Sequence, residues 1–84
     1  MVYSIFDPKL LEGVQTIHFI GCGGSGTYPL IQILHSRGFS ITGSDVEETK
    51  NTEAERALGV KVTIGHNAEN LGNAQLVVYS AAIH

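Results

Sequence analysis

A glycine-rich turn between a β-rich run and a helical run constrains the fold of this chain more than any other feature. The run Thr16–Ile20 is followed at once by GCGGSG, residues 21–26, and then by apolar residues at helical spacing. The turn fits the pattern G-x-G-x-x-G through Gly21, Gly23 and Gly26. A strand, such a turn and a helix together form a phosphate-binding unit, because glycines let the backbone approach a ligand and the helix amino terminus attracts anions.

Further strands and helices alternate along the rest of the chain. Strands are predicted at residues 39–42, 60–64 and 75–80, and the apolar run in the last of these is typical of a strand buried on both faces. The alternation predicts an α/β fold, a Rossmann-like parallel sheet of about four strands flanked by helices, with the first strand central. A short helix before residue 13 and a helical turn at 67–71 are also predicted.

The helix between the second and third strands has a predicted start. Residues 47–51 are interpreted as a polar loop in which Glu47 and Glu48 are solvated. Thr52 and Glu55 have the spacing of a capping box, with Thr52 as the cap, and the helix is predicted to end at Gly59.

Composition narrows the classes of function. The chain has 84 residues, a net charge of −3 and five scattered Lys and Arg residues, so a single domain without a nucleic-acid interface is predicted. No apolar run approaches the ~18 residues that a membrane span needs, so no membrane partner is predicted. One cysteine, Cys22, fits a reducing cytosol. The chain stops directly after a predicted buried strand, so we expect it to be a piece of a longer protein.

Two polar residues follow predicted strands on the edge where open α/β sheets bind ligands. Asp45 belongs to the segment 43–45 that closes the second strand, about 20 residues after the turn, where dinucleotide-binding domains carry an acid that binds a ribose. His66 follows the third strand. The alternatives are that the turn only joins strand to helix, that Asp45 caps its own loop, and that His66 is simply exposed.

Other chemistries are not expected from this sequence. Thr27 and Tyr28 stand where a Walker A motif needs Lys and Ser or Thr, so no ATP phosphoryl transfer is predicted. The histidines and Cys22 lack metal-ligand spacing, so no metal site is predicted. Cys22 lies near a helix amino terminus, which could lower its pKa, although a small side chain in a tight turn is the preferred interpretation. His18 is predicted to be packed or partly exposed.

Four longer segments carry a resemblance to a known family. They are HFIGCGGSG from residue 18, ITGSD from residue 41, GVKVTIGH from residue 59 and VVYSAAI from residue 77. In order and spacing they resemble the N-terminal domain of the Mur ligases, and specifically of the members that add L-alanine to UDP-N-acetylmuramate in peptidoglycan biosynthesis. The resemblance implies a bacterial cytoplasmic enzyme whose Rossmann-like N-terminal domain, here residues 1–84, holds the UDP part of its substrate.

The resemblance also implies where the ligand would lie. The pyrophosphate would lie near Gly23, Gly24, Ser25 and Gly26 of the turn, and Gly21 is also expected to be a UDP-binding residue. The uridine would lie near Ser44, Asp45 and His66, with Ser80, Ala81 and Ala82 lining the pocket. The departures are Thr27, Tyr28 and Pro29, where the family commonly has Met, Ser and Gly, and Ala81, where a second Ser is common.

The resemblance implies that domains beyond this chain bind the other substrates of the enzyme. UDP-N-acetylmuramate is the implied partner, and ATP and Mg²⁺ would bind one further domain while the amino acid binds another. No cofactor and no catalytic residue are expected within residues 1–84, which alone should be inactive. Three alternatives stay open: an NAD-binding domain of a dehydrogenase or regulatory module, a protein–protein module without a ligand, and, within the family, the ligase that recycles murein tripeptide.

Overall fold

Strands and helices alternate along the chain as the sequence predicts. The computed structural model describes residues 12–24, 26–65 and 71–79. The elements are β1 (Thr16–Ile20), α1 (Thr27–Ser36), β2 (Ser40–Asp45), α2 (Lys50–Leu58), β3 (Lys61–Ile64) and β4 (Leu76–Tyr79). The helix predicted before residue 13 and the turn predicted at 67–71 lie mostly outside the described residues. In the described part of the chain no helix is long and apolar enough to cross a membrane.

The four strands form one parallel sheet in the order β3-β2-β1-β4, so the predicted fold and the internal position of β1 are confirmed. Phe19 of β1 lies beside Gly43 of β2 and Val78 of β4. The chain moves from β1 through β2 to β3 in one direction, and right-handed crossovers then place α1 and α2 on the same face of the sheet. The two helices contact each other there.

The core lies between this face and the two helices. Strand residues alternate between faces, so Ile17 and Phe19 of β1 point to the helices and are each 1% exposed. The buried apolar residues are Ile17, Phe19, Cys22, Ile31, Leu34, Ile41, Val60 and Val62. Cys22 belongs to this core although it lies in the glycine-rich turn, so the turn is packed onto the helical face of the sheet.

Helix α2 begins earlier than predicted, and Thr52 is not its cap. The cap is Thr49, whose hydroxyl accepts a hydrogen bond from the Thr52 N–H at 3.2 Å, while the Thr52 hydroxyl accepts one from the Thr49 N–H at 2.8 Å. Two threonines three residues apart therefore make the capping box themselves. Glu55 does not reach back to a cap, because it lies buried in the middle of the helix.

Strand β4 is not buried on both faces, so that prediction was wrong. Leu76 and Val78 pack against the core, while Val77 and Tyr79 are 41% and 63% exposed. The reason is that both described helices lie on one face of the sheet, so the alternating side chains of β4 that point to the other face stay exposed. Only the face that meets the helices is covered along β4.

Candidate functional site at the glycine-rich turn

The turn after β1 is fixed to the end of β2 by backbone hydrogen bonds. The N–H groups of Gly21 and Cys22 both donate to the Ser44 carbonyl, at 2.8 and 3.0 Å. Gly21 has φ 82°, a left-handed conformation that favours glycine. The Gly24 N–H then donates to the Gly21 carbonyl and the Thr27 N–H to the Gly24 carbonyl, both at 3.2 Å. These bonds lead the chain directly into α1.

Asp45 joins the turn from the carboxyl end of β2. Its Oδ2 accepts a hydrogen bond from the Gly23 N–H at 2.7 Å, and its Oδ1 accepts one from the Val46 N–H at 2.6 Å. A Cβ on Gly23 would lie 2.8 Å from the same Oδ2, so the close approach requires glycine. A carboxylate has about four acceptor positions, which leaves Asp45 able to accept further bonds from a ligand hydroxyl.

The start of α2 holds the other side of the turn. The Asn51 side-chain amide donates to the carbonyls of Gly23 and Gly24 at 3.2 and 3.3 Å, and the Thr49 hydroxyl donates to the Gly23 carbonyl at 3.4 Å. The sequence interpretation placed Thr49 and Asn51 in a polar loop and missed their contacts with the turn. The spacing of Thr49 and Thr52 was the signal that could have revealed an earlier helix start.

Comparison with known proteins decides the family. The sequence profile described as "Mur ligase family, catalytic domain" matches residues 16–84. This chain belongs to the Mur ligase family. It is 49% identical over 74 residues to UDP-N-acetylmuramate–L-alanine ligase of Aquifex aeolicus, a match covering 88% of this chain and 16% of that protein. It is also 49% identical over 70 residues to the enzyme of that name from Acidiphilium cryptum, covering 83% of this chain and 15% of the relative.

This Mur ligase family chain thus spans about one-sixth of the length of the curated relatives that it matches. The profile match and the two relatives confirm the predicted family. The matched region begins at the first residue of β1 and includes the turn, Asp45 and the start of α2.

The predicted site residues of this Mur ligase family member divide into two groups. The structure brings one group together at the carboxyl ends of β1 and β2: Gly21, Gly23, Gly24, Gly26, Ser44 and Asp45. The other group lies outside the described residues: Ser25, His66, Ser80, Ala81 and Ala82. Their proposed contacts with a nucleotide stay predictions.

Gly26 has open space around it, unlike Gly23 in the turn and Gly43 in β2. No atom lies within 4 Å of a Cβ built there, and its φ of −90° suits any residue. Gly26 is the N-cap of α1 and makes no side-chain capping bond. The Thr27 N–H donates to the Gly24 carbonyl and Pro29 has no N–H, so an anion here would be attracted chiefly by the positive end of the helix. The open space therefore lies where the family resemblance places the pyrophosphate.

Ser44 presents its side chain to the opposite face of the sheet from Asp45. The Ser44 hydroxyl is 3.1 Å from Nε2 of His18, whose Nδ1 is 2.7 Å from the Thr42 hydroxyl. Ser44 is 2% and His18 is 1% exposed, and burial lowers the pKa of His18. His18 is therefore packed, within the range predicted for it. The Ser44 hydroxyl already has a partner, and its carbonyl is what holds the turn.

Beneath the turn, Cys22 lies against the carboxyl group of Glu55 from α2. Both side chains are fully buried. Burial, the Glu55 carboxyl and the Asp45 carboxylate raise the pKa of the Cys22 thiol, so the suggested lowering by the helix amino terminus does not occur. Burial also raises the pKa of Glu55 to about 7, against an opposing interaction with the Cys22 thiol, and the Asp45 charge adds to the rise. Sequence reasoning did not identify Glu55 as part of this site.

Glu48 is more than a solvated loop residue. It accepts a hydrogen bond from the Thr52 hydroxyl at 2.6 Å and forms an ion pair with Arg56. The Thr52 hydroxyl and the Arg56 guanidinium lower the pKa of Glu48. The ion pair is exposed, and Arg56 also donates to the Val62 carbonyl at 3.0 Å.

A cavity of about 280 Å³ opens on the sheet face opposite the helices. Its lining includes Thr16, His18, Thr42, Lys61 and Asn73. The residues of β1, β2 and β3 among these lie toward the amino ends and the middle of the strands, whereas the turn lies at the carboxyl ends. The cavity is therefore separate from the candidate site. No group of three metal-binding side chains occurs within residues 12–24, 26–65 and 71–79.

Proposed function

We propose that this chain forms the UDP-binding part of a UDP-N-acetylmuramate–L-alanine ligase. The observation that carries the proposal is the meeting of three features at one edge of the sheet: the glycine-rich turn, the Asp45 carboxylate and the open amino terminus of α1. Family membership and the names of the relatives support it. The turn would hold the pyrophosphate, and Asp45 would accept a hydrogen bond from the nucleoside.

The proposed substrate is UDP-N-acetylmuramate, to which the whole enzyme would add L-alanine with hydrolysis of ATP. The polar groups of the described site bind and orient a diphosphate and a nucleoside. ATP and Mg²⁺ would bind the parts of the enzyme that lie beyond this chain. The chain alone is then expected to bind the substrate without performing ligation.

An NAD-binding role is the second candidate, since the turn and Asp45 suit a dinucleotide equally well. The described sheet has four strands. A dinucleotide occupies two halves of a doubly wound sheet, each contributing its own strands and helices. The family match and the names of the relatives favour UDP.

Gly26→Val tests the position proposed for the pyrophosphate. A Cβ at this position meets no atom within 4 Å, so the free energy of unfolding is expected to change by no more than about 1 kcal/mol. It would occupy the space above the amino terminus of α1, so affinity for UDP-N-acetylmuramate is expected to fall by at least about tenfold. Calorimetric titration and urea denaturation measure the two effects. Unchanged affinity in a folded variant would place the diphosphate elsewhere.

A further inference from the structure

Glu55 is a buried acid that the proposed binding role does not use. It is 0% exposed, and among the described residues neither carboxyl oxygen has a hydrogen-bond partner of normal geometry. The thiol of Cys22, a weak hydrogen-bonding group, lies against it. Burying an ionised carboxylate in such surroundings costs much more free energy than burying the neutral acid.

The charged groups around Glu55 give no compensation for ionisation. The Asp45 carboxylate acts on it unfavourably, and Cys22 is a neutral thiol. On its own helix, Arg56 is directed to Glu48 and the Val62 carbonyl. His35 of α1 and Lys61 of β3 lie on the elements packed against α2, and neither contributes to the shift in the pKa of Glu55.

Glu55 also lies where the turn and α2 are joined. Cys22 is a residue of the turn, and its N–H is bonded to the Ser44 carbonyl. One turn of helix before Glu55, Asn51 binds the carbonyls of Gly23 and Gly24. A charge that forms on Glu55 therefore lies next to the Cys22 side chain of the turn, in surroundings from which solvent is excluded.

We propose that Glu55 is a proton-carrying positioning residue, so that a nucleoside diphosphate binds the glycine-rich turn together with uptake of a proton by Glu55. The proposal rests on the proposed function of the same site. A bound diphosphate adds negative charge beside the turn, and that charge opposes ionisation of Glu55. Because linkage is reciprocal, ionisation of Glu55 then weakens binding of the diphosphate to the same extent.

The expected direction of the pH dependence follows from the protonation state of Glu55 in the free chain. Glu55 has a pKa of about 7, so it is neutral in mildly acidic solution with or without ligand. Above that pH the free protein loses the proton, and binding must restore it. Affinity is therefore expected to fall as the pH rises through neutrality, and it levels off once the group is ionised in the complex as well.

Calorimetric titration with UDP-N-acetylmuramate at about pH 6 and about pH 8.5 tests the proposal. The diphosphate of this ligand is a diester that does not titrate in the range, so changes in the ligand do not contribute. The association constant of the unmodified chain is expected to fall by about tenfold, which corresponds to a rise of about one unit in the pKa of Glu55 on binding. Buffers of different ionisation enthalpy should reveal proton uptake near neutral pH.

Two variants distinguish the contribution of Glu55 to the pH dependence of affinity from the contributions of other titrating groups. Glu55→Gln keeps the size of the side chain and cannot ionise, so its affinity is expected to lose the dependence on pH. Glu53→Gln removes an exposed acid from the same helix and is expected to keep the dependence. If Glu55→Gln retains the full dependence, or the unmodified chain takes up no proton, the proposal is overturned while the proposed function stands.

A direct measurement does not depend on whether Glu55→Gln folds. The carboxyl ¹³C resonance of Glu55 in the unmodified chain reports its pKa with and without UDP-N-acetylmuramate. An increase on binding supports the proposal, and an unchanged value overturns it. Absence of any binding at both pH values would overturn the proposed function as well, and that result is distinct from binding without proton uptake.

Discussion

Replacing Glu55 with leucine is expected to stabilise the folded chain more at about pH 8 than at about pH 4, with a difference of about 3 kcal/mol between the two gains. The pKa of Glu55 rises from 4.5 to about 7 on folding, because burial disfavours the charged form. Below the pKa that Glu55 has in the unfolded chain, the acid is neutral in both states and the folded chain keeps its full stability. This stability is lost as the pH rises through the pKa that Glu55 has in the folded chain. Leucine does not titrate, so the variant avoids this loss.

Urea denaturation of both proteins across this pH range measures the effect. Taking the difference between the variant and the unmodified chain removes the contributions of the other titrating groups. Glu53→Leu is the matched control, because Glu53 is exposed on the same helix and its replacement is expected to show no comparable dependence on pH. A gain from Glu55→Leu that is the same at every pH would show that Glu55 has an ordinary pKa in the folded chain.

Gly43→Ala is expected to reduce the free energy of unfolding by about 1–3 kcal/mol, as overpacking in a close-packed core typically does. A Cβ at this position would lie 2.7 Å from Sγ and 2.8 Å from Cβ of Cys22. The contact with Cβ cannot be relieved by a change of rotamer, so β2 and the turn must move apart. The Gly21 and Cys22 bonds to the Ser44 carbonyl would be strained in the process.

Gly26→Ala is the matched control for Gly43→Ala, because its Cβ meets no atom within 4 Å. We expect it to change stability by less than about 1 kcal/mol. Thermal or urea denaturation of the two variants compares them directly. Equal stability of the two would mean that the turn does not pack against β2 as closely as the structure shows.

The arrangement of the sheet was largely predictable from the sequence. Strand β1 occupies the residues predicted for it, because a β-rich run ends sharply at a glycine with positive φ. Helices between successive strands require parallel crossovers, and the parallel sheet follows. Asp45 could be placed near the turn because the carboxyl ends of neighbouring parallel strands share one edge.

Side-chain direction and helix start were harder to predict. The second strand was predicted to end at residue 42, whereas β2 continues to Asp45. Had the strand been extended, its alternation would have placed Ser44 and Asp45 on opposite faces, as observed. The threonine pair at the start of α2 was read in the wrong register because Glu55 completed the more familiar pattern of a capping box.

The burial of Glu55 could not be predicted from the sequence. Glutamate is rarely fully buried, and a glutamate within a polar helix is usually solvated. Its burial depends on the packing of α2 against the turn, where Cys22 lies beside it. This is a tertiary contact between positions far apart in the chain, and no local pattern in the sequence records it.

The most direct test of the proposed function is an amide NMR titration of the chain with UDP-N-acetylmuramate and, separately, with NAD. The proposed function predicts shifts at Gly21, Gly23, Gly24 and Asp45 with UDP-N-acetylmuramate and few with NAD. Both ligands carry a pyrophosphate, so the difference reports what binds beside the turn. An equal or stronger response to NAD at these residues would contradict the proposed function and favour a dinucleotide-binding role.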